Sequence, residues 1–249
     1  MTGEKERHTA VIARNRLLVL LTFSSGAVDA ICFLGLGKVF TAFMTGNFVF
    51  LGLRIAGAPG PHITSVVVSM AAFAVGVFTA GRLLSSTRGS GVWPRRVTLV
   101  LGLSVMAHAA FVACWLAVAG RPALTSADFL LGVSALGMGL QTAAVFSLGL
   151  QGVFTTAATA TFTVLSGDTA HWANTQPERH RLASLLIALT AGAVGGALLL
   201  VHARDVAPLL PLAASTLVVV TAAGHFRETR SPAKAWQSGH LRAAPSSRN

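Results

Sequence analysis

A carboxylate set alone in a long apolar run is the first group in this chain that could do chemistry. Asp29 is the only acidic residue between Glu6 and Asp128, and no other charged side chain stands between Arg16 and Lys38. In hydrocarbon such a group costs about 2.5–3.5 kcal/mol even on lenient insertion scales, so it needs a cavity, a proton or a partner. It could serve as a proton or cation site, or as a fixed acceptor for exposed backbone N–H groups. Thr45-Gly46-Asn47 follows within the next apolar segment. These residues could open a helix and present backbone groups and an amide to a ligand, which is tolerated only where the backbone is buried in protein or lines water. They could equally satisfy an interrupted helix or bridge neighbouring helices.

Other polar residues extend the candidate set. Gln141 lies mid-segment, where a buried amide needs partners; both substrate contact and helix-to-helix bonding suit it. Thr155, Thr159 and Thr161 could line a facing wall, or bond their own helix carbonyls as threonines in apolar helices do. Asp168 and His171 are three residues apart on one helical face. They form a gate or proton-relay pair, or a solvated edge. His108 has no carboxylate at helical spacing and reads as a packing residue. Cys32 and Cys114 imply neither a metal cluster nor a disulfide framework.

The elements that must position these residues are written in the hydropathy. Of 249 residues 53% are hydrophobic and 11% charged, with mean hydropathy +0.67. Soluble domains carry about 25% charged residues, so the chain reads as an integral membrane protein. Eight apolar segments follow one another, at about 17–36, 39–56, 63–84, 97–119, 129–150, 153–173, 182–202 and 206–223. Residues 1–16 read as a basic tail, 17–226 as one membrane domain, and the Ser/Pro/Arg-rich stretch 227–249 as a disordered basic tail. The net charge of +11 sits in loops and tails between apolar runs, so it points to membrane orientation rather than to nucleic acid.

The domain is internally repeated. Residues 34–51 (LGLGKVFTAFMTGNFVFL) recur without a gap as 148–165 (LGLQGVFTTAATATFTVL). Nine of these positions are identical, including Leu34/Leu148, Phe40/Phe154, Thr41/Thr155 and Thr45/Thr159, at a constant offset of 114 (148 − 34). By that offset Asp29 is matched by Ala143, and Gly46-Asn47 by Ala160-Thr161. Gly76-x-x-x-Ala80 answers to Gly192-x-x-x-Gly196 after a two-residue shift, as small-residue seams for close helix packing. The halves are about 17–120 and 121–226.

Arginine placement decides how many segments cross. Eight crossings would put Arg82, Arg88, Arg95 and Arg96 on the side opposite the basic N-terminus, against the positive-inside rule. If segments two and six are re-entrant or interrupted, six crossings remain and the basic loops and both termini share the cytoplasmic side. Three crossings per half then invert the second half. The expected fold is all-α and polytopic, with two inverted repeats of four segments. Many secondary transporters share this construction.

Gly26-x-x-Asp29-Ala30, Val39-Phe40-Thr41-Ala42 with Met44-Thr45-Gly46-Asn47, and Gly137-Met138-Gly139-Leu140-Gln141 with Thr155-Thr156 resemble the YoaK-type family of bacterial inner-membrane proteins. The resemblance runs from about residue 15 to 226. It implies a polytopic plasma-membrane protein, described as a small-molecule permease or exporter with no assigned substrate. The chain departs from that family at Ala160, where relatives keep Gly after Thr.

Two functions follow. The first is a permease for a small solute, proton-coupled if Asp29 titrates, with Asp29, Thr45, Gly46, Asn47, Gln141, Thr155, Thr159 and Thr161 at a midplane site. The second is a non-transporting scaffold, accessory subunit or sensor whose breaks are structural. No catalytic constellation converges, so no enzyme is expected, and no cofactor or metal. The expected partners are the lipid bilayer, a small solute and a second copy of the chain.

Overall fold

The computed structural model describes residues 2–85, 92–149 and 176–228, together with Phe162. Among them are α1 (Thr2–Gly35), α2 (Met44–Ile55), α3 (Ile63–Leu84), α4 (Arg95–Ala117), α5 (Leu124–Phe146), α6 (Gln176–His202) and α7 (Leu209–Glu228), with a 3₁₀ turn at Arg204–Val206 and no strand. Six of these helices are long and apolar enough to cross a membrane; α2 is not. Its 12 residues reach about 18 Å, short of a hydrocarbon core of about 30 Å.

The helix ends follow local chemistry. Gly37 at φ 99° turns the chain after α1 while the Lys38 N–H donates to Phe33 O at 3.0 Å, a glycine C-cap of Schellman type. Pro94 precedes α4 in extended backbone and supplies no N–H where the helix would leave one orphaned. α1 begins at Thr2 and therefore carries the basic N-terminal residues in one helix with the first apolar segment.

Two buried clusters mark the two ends of the bundle. One gathers Leu17 and Leu21 of α1, Leu84 of α3, Val97 of α4, Ala144 of α5, Leu185 of α6 and Ala222 of α7. The other gathers Ile31, Val66, Trp115, Leu130 and Leu200 from the opposite ends of five of these helices. Thus α1, α4 and α6 start where α3, α5 and α7 finish. That first end carries Arg14, Arg16, Arg82, Arg95, Arg96, Arg179 and Arg181. The connection from α1 to α3, which contains α2, begins and finishes at the other end.

Glycines set the two closest helix pairs. A Cβ on Gly192 of α6 would overlap the Phe23 carbonyl of α1, and one on Gly26 would overlap the Leu189 carbonyl. In the same way Gly76 of α3 abuts the Leu136 carbonyl of α5, and Gly139 abuts that of Phe73. Contact between backbones at this range is possible only without side chains, and it is how helices associate in lipid. Both pairs are parallel: Gly192 and Gly196 meet Phe23 and Ala27 in order, and Ser65 and Gly76 meet Asp128 and Leu136 in order.

The contacts of the two pairs correspond residue for residue. Phe23 and Ala27 stand to Leu136 and Leu140 at an offset of 113 (136 − 23), while Gly76 and Gly192 stand at 116 (192 − 76). The packing register therefore sets Asp29 against Thr142 and not Ala143. The matching close contacts of Gly26 with the Leu189 carbonyl and of Gly139 with the Phe73 carbonyl fix that register.

Candidate functional site

α1 and α5 run antiparallel. Cys32 Sγ donates to Ser134 Oγ at 3.6 Å, and Gln141 Nε2 donates to the Leu21 carbonyl at 3.3 Å. Polar side chains line this contact and its flanks.

Toward the opposite end stands Asp29, 8% exposed. Its Oδ1 accepts the N–H groups of Thr41 and Ala42, each at 2.8 Å, and the Thr41 hydroxyl at 3.3 Å. Its Oδ2 accepts the Phe43 N–H at 2.9 Å. These N–H groups belong to the non-helical stretch leading into α2, where no helical partner exists. One carboxylate satisfies them together, as charge-assisted bonds do at helix starts. Asp29 is therefore the acceptor that holds the break. Ser134 donates to Thr41 Oγ1 at 3.4 Å and ties the same stretch to α5.

The break does not fall at Thr45–Asn47. Those residues are helical, in the first turns of α2, and the interruption spans residues 36–43. Asn47 is fully buried and clamps Phe40 from within the helix: its Oδ1 accepts the Phe40 N–H at 3.1 Å and its Nδ2 donates to the Phe40 carbonyl at 2.7 Å. Ser69 of α3 donates to that carbonyl too, at 2.6 Å. Gly46 leaves room for the rings of Phe40 and Phe43, which a Cβ would strike. Phe40 also stacks on Phe33, with centroids 4.8 Å apart. Thr45 is exposed and stands apart from this network.

Toward the bundle centre, Gln141 is 4% exposed and its Oε1 has no hydrogen-bond partner among the described residues. His108 of α4 is equally buried; its Nδ1 lies 2.9 Å from the Ser104 carbonyl, while Nε2 has no partner there. Ser104 donates to the Gly137 carbonyl of α5 at 2.8 Å. Ser24 of α1 donates to the Pro211 carbonyl and pairs with Ser215 of α7 at 2.9 Å. Buried polar atoms usually find a partner, and these two find none among the described residues.

The structure thus brings Asp29 and Asn47 together with Thr41, Ser69 and Ser134, which the sequence did not single out. It sets Gln141 farther along α5, in the arginine-rich half. Single serines and threonines in apolar helices carry no distinguishing pattern; only Thr41 had a signal, its identity with Thr155. Thr155, Thr159, Thr161, Asp168 and His171 lie outside the described residues. Among the described residues no three His, Cys, Asp or Glu side chains group to hold a metal.

Comparison with known proteins agrees with this membrane architecture. The chain is 35% identical over 160 residues to the UPF0700 transmembrane protein YoaK of Bacillus subtilis (strain 168), covering 64% of this chain and 69% of that one. No solved structure matches. The family profile described as protein of unknown function (DUF1275) matches residues 17–223. Spans, break and match together place this chain, an integral membrane protein, in the DUF1275 family.

Proposed function

We propose that the protein is a non-enzymatic carrier for a small polar solute, built from two inverted repeats, with its site where α1 and α5 cross. The single observation that carries this reading is the antiparallel contact of those two helices, with Gln141 on it and His108 on neighbouring α4, whose Oε1 and Nε2 are buried without a hydrogen-bond partner among the described residues. Sites at the interface of inverted repeats, beside broken helices, are the usual arrangement of secondary carriers. Three further features support the repeat: the residue-for-residue match of the two glycine seams, the three-up, three-down helix directions, and the α1–α3 connection that returns to its own end. On this reading α2 is re-entrant, and the arginine-rich end faces the cytoplasm of a bacterial plasma membrane.

A second reading has its own support. Asp29 is filled by four donors and has little capacity left for a coupling ion, as a non-transporting scaffold, accessory subunit or sensor would require. Flux measurements separate the two. Purified protein in liposomes is presented with a panel of small cations, amino acids and organic anions, and Gln141→Leu is compared with wild type. Carrier function predicts flux of at least one class, falling about tenfold or more in Gln141→Leu at unchanged thermal midpoint. A panel that moves nothing, with Gln141→Leu altering stability alone, leaves the scaffold reading standing.

A further inference from the structure

A groove of about 900 Å³ runs along the α1/α6 seam at the arginine-rich end. Its deeper walls are apolar, from Val19, Leu20, Phe23, Ile187 and Ala188, whereas Asn15, Arg16, His180 and Arg181 form its mouth. Arg16 and His180 are exposed, and Ile187 keeps 68% of its surface open. Arg14 stands close enough to Arg181 for the two guanidinium charges to repel. Arg14 Nε and Asn15 Oδ1 are buried with no hydrogen-bond partner among the described residues. The groove thus has the polarity of an amphiphile: cationic around Arg16, His180 and Arg181 and greasy one to two turns deeper.

The other glycine seam serves as an internal control. Through the registers of 113 and 116 residues, Asn15 corresponds to Asp128 and Arg181 to Ser65. At that position on the α3/α5 seam the Ser65 hydroxyl donates to the Asp128 carboxylate. One packing geometry therefore carries a cationic mouth in one half and an anionic one in the other.

We propose that the α1/α6 groove is a binding site for an anionic phospholipid, its phosphate at Arg16, His180 and Arg181 and an acyl chain along Val19, Leu20 and Phe23. Basic residues beside a helix seam attract anionic headgroups by charge, and arginine suits phosphate through its planar fork of donors. Asn15 Oδ1 offers an acceptor to a headgroup hydroxyl, so phosphatidylglycerol is the probe of choice.

The test follows the thermal midpoint of the full chain in detergent, titrated with phosphatidylglycerol, phosphatidylcholine or glycerol 3-phosphate. The expected result is a saturable rise with phosphatidylglycerol alone. In the R16Q/R181Q variant its apparent affinity falls about tenfold or more, while D128N on the other seam leaves it unchanged. Equal stabilisation by phosphatidylcholine overturns the proposal, as does a double variant that keeps wild-type affinity. Glycerol 3-phosphate reproducing the full effect reassigns the mouth to a soluble anion and overturns it as well. Should R16Q/R181Q fail to fold, wild type titrated in rising salt gives the answer: the phosphatidylglycerol preference weakens as screening grows, and a salt-insensitive preference overturns the site.

Discussion

The α1/α6 and α3/α5 seams have the same backbone geometry and different side-chain chemistry. In each, paired glycines let two parallel helices touch carbonyl to Cα, at corresponding positions. Around that shared contact the halves diverge. The first half holds Asp29, where the packing register puts Thr142, and the second carries Arg181 in the place of Ser65. The packing can tolerate no side chain at the glycines, whereas the flanking positions are free to differ. The two seams thus share their close contacts and differ in charge.

The largest expected effect tests the duplication itself. Gly192→Ala and Gly76→Ala each drive a methyl into a facing carbonyl, so both should cost about 3 kcal/mol or more, near the upper end for overpacking. Unfolding midpoints in mixed micelles read the loss, and equal losses are expected. A seam that accepts its alanine would break the equivalence. Next comes Asp29→Ala, which strands three backbone N–H groups at about 1–3 kcal/mol each before relaxation. Thr142→Ala on the other half should change the same midpoint by less than about 0.5 kcal/mol. Asn47→Ala is smaller, about 2 kcal/mol, because Ser69 still serves the Phe40 carbonyl and the Phe40 N–H alone is left unpaired. The smallest pair sharpens the comparison: Ser104→Ala and Ser215→Ala should each cost about 0.6 kcal/mol, the average for hydrogen bonds between membrane helices. A difference between them above about 1 kcal/mol would mean that only one of the two serines is structural.

Much of this was legible in the sequence, and for identifiable reasons. Apolar runs mark eight segments and arginine placement selects six crossings, matched by six crossing-length helices among the described residues, and the small residues at Gly76 and Gly192 mark the two tight seams. Asp29 stood out because a lone acid in an apolar run needs a partner, and the alternative of a backbone N–H acceptor was already contained in that. The position of the break was misread. Thr45-Gly46-Asn47 looks like an interruption because its residues are weak helix formers. Yet Asn47 works from inside α2, and the open backbone is the Leu36–Phe43 stretch, whose Val39 and Phe40 look like continuous helix. Polar residues here mark the group that repairs a break, and the break itself is written in apolar letters. His108 reads as a packing residue in the sequence; its Nδ1 contact to the Ser104 carbonyl fits that, while its Nε2 has no partner among the described residues.

The Asp29 network has a consequence for how the chain enters a membrane. Its donors lie only 12 to 14 residues downstream of the acid, whereas the backbone that seats α1 against α6 is supplied by residues near 189–196, far downstream of it. During synthesis the α1–α2 hairpin thus carries its own remedy for a buried charge. Once Phe43 has been made, the donors that Asp29 accepts among the described residues are all present, before any residue of α6 is translated.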